Sequence, residues 1–412
     1  MRGRESLPRL WVVGALALSI LLPASPAAAV PLDQRIPQLF GGSLLTTICP
    51  RCAAEAQQNP ANQVFRGLSA ELASVLSESP VPSASGSFRF AWDPGLDTFV
   101  RFDQSLGPVL ANRVETLGRR TGVLSVSYTH AGFDTLEGSP LQRMRFRAPA
   151  LSTAYLSKLP LSDRLRAQDD VLETHLNLSL KMDQLFFSGA YGLTDSLDLG
   201  LAIAVTQIRM KASAEARILH SGSGFGAVFA SRQPGVCLET PFPFRCARDS
   251  FDDSAIGTGD IFLRAKWHFA DTRFADLALA GVLTIPTGNA DDLLGFHAPT
   301  LTPWFIMSKS VGRISPHLNL GYALRSHNDV SQAEWVAGAD LLAFKWLTLN
   351  ADFLGFHDDK RDGINDDVLQ FAGGLKLNII GRLVLGAAVQ LPLNRGGLRA
   401  DQIWTGQIEY TF

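Results

Sequence analysis

Charge is scarce in this 412-residue chain: 18% of residues are charged, against an average of about 25%. A basic excess is missing too. With 37 Lys+Arg against 39 Asp+Glu, the sequence argues against a nucleic-acid partner. Low charge beside 46% hydrophobic residues excludes disorder for most of the chain. Long apolar runs are absent after residue 29. The richest stretches, Leu197–Val205 and Leu277–Pro286, are too short for a helical membrane span and suit a β-span of about ten residues. Catalytic and nucleotide motifs are missing as well: there is no G-x-S-x-G, H-E-x-x-H, Walker or complete G-x-G-x-x-G pattern. The Gly222–Gly226 run comes nearest, with the wrong spacing for a nucleophile elbow. Glycine and phenylalanine are plentiful, at 36 and 25, which favours a β-rich chain with many turns.

The first 29 residues read as a secretory signal. Arg2, Arg4 and Arg9 precede an apolar core, Leu10–Leu22, and Ala27–Ala29 offers a small-residue cleavage site. The mature chain then starts near Val30 and leaves the cytoplasm.

Period-2 alternation dominates the mature chain. Ile261, Leu263, Ala265, Trp267 and Phe269 oppose Asp260, Arg264, Lys266 and His268. Leu176, Leu178, Leu180 and Met182 oppose His175, Asn177, Ser179 and Lys181. Leu369–Ile379 and Trp404–Phe412 alternate in the same way. A soluble sandwich could carry this pattern with its apolar face inward. Export, strands of about ten residues, and connections that alternate short and long favour a membrane barrel with its apolar face outward. The expected fold is all-β: a transmembrane antiparallel β-barrel of about twelve strands over 121–412, with outer loops at 132–172 and 220–256. The count becomes fourteen if 85–92 and 97–103 add a hairpin. Trp267, Phe269, Tyr322, Trp346, Trp404 and Tyr410 fit interfacial aromatic belts. Such a barrel sits in the bacterial outer membrane, with its lipid as one partner. Tyr410 and Phe412, ending an alternating last strand, read as an assembly signal for the barrel-assembly machinery.

Four segments carry a family resemblance: Tyr191–Ile203 (YGLTDSLDLGLAI), Gly257–Phe269 (GTGDIFLRAKWHF), Leu277–Gly295 (LALAGVLTIPTGNADDLLG) and Ser308–Leu324 (SKSVGRISPHLNLGYAL). The chain resembles, over roughly 120–412, the transporter-like outer-membrane proteins of the phenol meta-degradation pathway family. That resemblance implies a barrel for uptake of aromatic or other apolar compounds, and it carries no catalytic motif.

Residues 30–120 differ in character. Val64, Leu68, Leu72, Val75 and Leu76 recur at helical spacing, bounded by Pro60 and Pro80, which predicts an amphipathic helix near 62–79. The extension is either a plug in the barrel mouth or a periplasmic extension on the lower rim. The four cysteines, Cys49, Cys52, Cys237 and Cys246, are disulfide candidates in an exported chain. Three connectivities are open, and the local pairs 49–52 and 237–246 are the preferred reading. A haem would need His where Ala53 stands. The acidic Asp358–Gly363 stretch lacks the ligand pattern of a calcium loop, so no metal and no cofactor are expected.

The expected lumen-lining set is His175, Asn177, Lys181, Asp183, Asp260, Arg264, Lys266, His268, His317, Asn319, Gln370, Lys376, Gln407 and Glu409. Its signs are mixed, unlike the single-sign ring of a selective ion channel. The expected function is therefore passive transport of small apolar or aromatic compounds, not enzymatic. A closed barrel acting in adhesion or envelope structure through its outer loops is the alternative. A lipid hydrolase built from Ser with His175, His268 or His317 ranks below both.

Overall fold

The computed structural model describes residues 30–44, 65–66, 68, 90–93, 98–101, 105–149, 152–219, 236–237, 244–325, 331–359 and 367–412. Residues 1–29, expected to be a secretory signal, Cys49, Cys52 and most of 62–79 lie outside the described residues. Of that expected helix, 65, 66 and 68 are described, and they are helical.

Twelve strands form one continuous wall. They are β1 Gly122–Leu136, β2 Val171–Gly192, β3 Leu197–Leu219, β4 Phe244–Asp271, β5 Asp276–Ile285 and β6 Thr300–Ser308. Then come β7 Ile314–Arg325, β8 Gln332–Phe344, β9 Leu347–Asp358, β10 Asp367–Ile380, β11 Leu383–Pro392 and β12 Leu398–Thr411. Each pairs antiparallel with the next, and β12 returns to β1. At the seam, Gly122 and Phe412 exchange backbone hydrogen bonds of 2.9 and 2.8 Å. The Phe412 ring covers Gly122 so closely that a Cβ there would lie 2.5 Å from it. Closure has a simple cause: hydrocarbon offers no hydrogen bonds, so each backbone group needs a neighbouring strand. The fourteen-strand alternative is corrected. Phe90–Asp93 and Thr98–Arg101 pair only with each other and stay out of the wall.

The wall is apolar outside and polar inside over its lower part. Leu199, Leu201, Leu263, Leu279, Leu301, Phe353 and Ile408 are exposed, whereas Thr284, Thr302, Asn319, Asp352 and Gln407 are buried. Only lipid satisfies a continuous exposed apolar belt of this kind. Over the nine residues 197–205 of β3 every outward side chain is apolar, and nine residues is about what a tilted strand needs to cross the hydrocarbon layer. Trp267, Phe269, Tyr322, Trp346, Trp404 and Tyr410 all lie exposed on this outer surface.

Three strands rise well past the belt. β2, β3 and β4 have 22, 23 and 28 residues, and the other nine have nine to fifteen. Part of the expected 220–256 loop is therefore strand: 244–256 continue β4, and 246–256 pair with 207–217 of β3. In the 132–172 region, Met144–Pro149 pair with β2, and two short helices, Thr153–Leu156 and Leu161–Ala167, follow. Cys237 lies on a two-residue strand whose backbone pairs with 244–245, next to Cys246 on β4.

The polarity of the wall inverts at the belt's upper edge. Leu185 pairs with Val205, and one step up Asp183 pairs with Gln207. Above that line the buried side chains of β2 include Leu172, Leu176, Leu178, Leu180 and Met182, with Thr174 the polar exception, and those of β3 include Ile208, Met210, Ala212, Ala214 and Ala216. Water now bathes the outside, and the inside packs on protein. The helix α1, Leu32–Gln38, and the turn after it place Leu32, Ile36, Leu39 and Phe40 against this inner face. Phe65 stacks on Phe40 and meets Phe146 edge-on.

Candidate functional site

A second N-terminal segment crosses the lower lumen. Residues 105–121 are nearly all buried, and their backbone is held by inward side chains of the wall. Leu106 N donates to Thr348 Oγ1 at 2.9 Å, and Asn350 Nδ2 donates to the Gly107 carbonyl at 3.0 Å. Asn319 accepts from Asn112 N at 2.7 Å and returns a bond to its carbonyl at 2.9 Å. Val114 N reaches Ser308 Oγ at 3.3 Å. Lys266 Nζ donates to the carbonyls of Arg113 and Glu115. Asp198 accepts from Leu117 N with both oxygens, at 3.0 and 3.1 Å, and stands 3.7 Å from Lys266. Apolar contacts run beside these bonds: Leu106 on Val384, Val109–Ala111 among Val336, Leu354 and Ala372, and Val114 on Ala278 and Ile306. Residues 105–121 thus form a bar from the β11 side to the β3 side. An irregular segment can sit at membrane depth only where protein satisfies its backbone, and these polar side chains do that.

A loop closes the space from above. Asp260 stands in a β-bulge, where Gly259 and Asp260 oppose Ala204 alone. Its Oδ1 accepts from Thr287 N at 3.1 Å and Gly288 N at 3.0 Å, and its Oδ2 accepts from Phe296 N at 2.8 Å. One carboxylate thereby folds residues 287–296 into the barrel, and Leu293 and Leu294 become buried. Gly295 is required by this closeness, because a Cβ there would lie 2.3 Å from Asp260 Oδ1. The loop also meets α1: Leu32 N donates to Asp292 Oδ1 at 3.3 Å. Arg35 of α1 pairs with Asp253 on β4 at 2.8 Å. Burial, then the neighbouring Asp291 carboxylate, pushes the Asp33 carboxyl up.

Between bar and loop lies a cavity of about 180 Å³. Leu110 and Asn112 of the bar, Phe296 of the loop, and Phe262, Arg264, Trp304 and Arg325 of the wall border it. Arg325 lies over the Phe296 ring at 5.4 Å. Elsewhere in the lumen two buried ionisable pairs face each other across strands. Lys376 Nζ meets Glu409 Oε1 at 2.8 Å, and His317 Nε2 meets Asp352 Oδ1 at 2.7 Å, all four buried.

The expected lining residues divide into two groups. Asp260, Arg264, Lys266, His268, His317, Asn319, Gln370, Lys376, Gln407 and Glu409 occupy the inward register of the wall. Arg264, Lys266 and Asn319 border the cavity, and Asp260 folds its roof. His175, Asn177, Lys181 and Asp183 are a correction. They lie on the outward face of β2 above the belt, because the wall's polarity inverts there. Asp183 accepts from Tyr128 at 2.5 Å and meets His130 at 2.7 Å. The three histidines also stand apart: His175 lies near Glu173, His268 meets Asp271 by a short turn, and His317 lies in the lumen. Sequence reasoning missed Asp198, Ser308, Thr348 and Asn350. Their register positions marked them as inward, but nothing local linked them to residues 105–121.

The chain matches no family model and no curated protein. Among solved structures it is similar to an outer-membrane channel from Pseudomonas putida F1, at 15% identity and a TM-score of 0.44, over 74% of this chain and 100% of that one. It is also similar to a Pseudomonas aeruginosa FadL homologue, at 11% identity and a TM-score of 0.34, over 73% and 91% of the two chains. A third is the Ralstonia pickettii toluene transporter TbuX, at 11% identity and a TM-score of 0.32, over 71% and 89%. Likeness this distant fixes no solute, and the barrel stands on its own strand pairing.

Proposed function

We propose that this chain is a bacterial outer-membrane barrel that passes small, largely apolar or aromatic compounds without an energy source. The observation that carries the reading is the cavity inside the membrane belt, walled by rings and a few polar groups and bounded by two segments that are not part of the wall. Most sites for small molecules have this character: concave, mainly apolar, with few placed polar groups. A bar held by side-chain hydrogen bonds and a loop held by one carboxylate can move while the wall stays closed. The sequence resemblance to aromatic-uptake proteins supports the same reading. The exposed Tyr410 and Phe412 on the closing strand are the proposed signal to the assembly machinery.

The bar also favours a second reading, a sealed barrel that acts through its raised wall in adhesion or envelope structure. Reconstitution into liposomes and planar bilayers separates the two. Transport predicts conductance or selective uptake of small aromatics over sugars, rising when the bar is released. A barrel sealed to every solute, with and without its bar anchors, would overturn transport and favour the sealed reading.

A further inference from the structure

The outward face of the raised wall changes character just above the belt. Tyr128 and Trp404 lie exposed at the belt's edge, where interfacial aromatics sit. One step up, Asp183 holds Tyr128 and His130. The next outward pair sets Lys181 directly opposite Arg209, and like charges in that position repel. Arg209 comes only within 3.8 Å of Asp183, and Lys211 beside it meets the exposed Asp252. Asp134, on the neighbouring β1, accepts from Asp401 N. Lys181 makes no ion pair among the described residues. It lies four residues above Leu185, about 10 Å above the hydrocarbon edge on a tilted strand. A lysine stem can lower its ammonium from there into the headgroup layer. The short turns, such as 193–196 between β2 and β3, lie at the other end of the barrel, so this face meets the outer leaflet. Cations continue upward. Arg145 stands opposite His175, ten residues above Leu185, about 25 Å above the belt and beyond a glycerophospholipid headgroup. Arg143 and Arg145 make no ion pair among the described residues either. With His175, Asn177 and Ser213 they border an open groove of about 610 Å³. Its carboxylates are Asp249 and Glu215, and Glu215 is shared by Arg217 and Arg248.

We infer that the outward face of β2 and β3 above the belt binds a phosphorylated glycolipid of the outer leaflet. Its acyl chains lie on the apolar belt, which is continuous with this face. A phosphate sits between Lys181 and Arg209 and relieves their repulsion through charge-assisted hydrogen bonds. The sugars rise into the groove beside Arg143 and Arg145, where amide, hydroxyl and guanidinium groups meet their hydroxyls and acidic substituents. The site lies outside the lumen and holds whether or not the cavity conducts. Full-length protein in a neutral detergent is titrated with rough lipopolysaccharide, its dephosphorylated form, lipid A without core sugars, and dioleoylphosphatidylglycerol. Native mass spectrometry reads the lipid retained. Rough lipopolysaccharide is expected to bind about tenfold tighter than its dephosphorylated form or phosphatidylglycerol. The double variant Lys181→Gln, Arg209→Gln is expected to lose that tenfold. Lys345→Gln, in a short turn at the other end of the barrel, is expected to change nothing. Arg145→Gln is expected to weaken rough lipopolysaccharide and leave lipid A unchanged. Heat-modifiable gel mobility verifies that each variant is a folded barrel. Phosphatidylglycerol held as tightly as lipopolysaccharide overturns the inference. So does lipopolysaccharide binding that the double variant leaves intact, or that Lys345→Gln lowers equally. Indifference of rough lipopolysaccharide to Arg145→Gln overturns the placement of its sugars.

Discussion

One carboxylate sets the shape of the roof. Asp260 accepts three backbone N–H groups from residues 287, 288 and 296, and hydrogen bonds to a charged group contribute about 1.5–3 kcal/mol each. Asp260→Ala is expected to free the 287–296 loop while the barrel stays folded. Limited proteolysis of the protein in intact vesicles would then cut within this loop in the variant and spare the wild type. Equal protection in both would contradict the role given to Asp260. Gly295→Ala should act in the same direction, because its Cβ would press on the same carboxylate. Asp260 was legible in the sequence as a charged inward position. That it meets backbone 27 to 36 residues away was not.

At the scale of elements, the bar and α1 are two N-terminal segments packed inside the wall. Lys266 and Asn319 hold the bar's backbone at three points. The double variant Lys266→Met, Asn319→Ala removes those bonds and leaves wall pairing intact. Single-channel conductance is expected to rise several-fold; no change would show that the bar does not limit passage. α1 should respond to acid. The docked pKa of Asp33 is raised by burial and Asp291, so its charged form disfavours docking. The docked state is therefore favoured below the undocked value of about 3.9, and that gain fades as pH rises through the higher docked value. Amide exchange across 32–40, corrected for intrinsic rates, should show protection increasing from pH 7 to pH 4 more in wild type than in Asp33→Asn. Identical profiles would refute the role of Asp33.

For the whole molecule, the governing fact is the inversion of the wall at the Leu185–Val205 level. The same strand face meets lipid at Leu201 and water at Ser213. Leu201→Arg is expected to destabilise the barrel by about 2–4 kcal/mol, as arginine does at the membrane midplane. Ser213→Arg should stay within about 0.5 kcal/mol, as surface substitutions do. Unfolding in lipid vesicles measures both. Similar costs at the two sites would place the membrane boundary elsewhere.

The sequence by itself determined the class of wall: period-2 alternation, apolar stretches of about ten residues, alternating connection lengths and an aromatic last strand are local properties. They led to twelve strands and to the inward register of Lys266, Asn319, Lys376 and Glu409. Only the tertiary structure decided where the polarity of the wall changes sign. Alternation names two faces and does not say which one meets lipid, so His175, Asn177, Lys181 and Asp183 read as lumen residues until the depth of each position was fixed. The bulge at Gly259–Asp260 shifts the inward register of β4 by one position, which a strict count along the chain cannot show. Residues 105–121 carry no alternating pattern of their own. Their buried path is set by side chains from Asp198 to Asn350, distant in sequence and adjacent only once the barrel has closed.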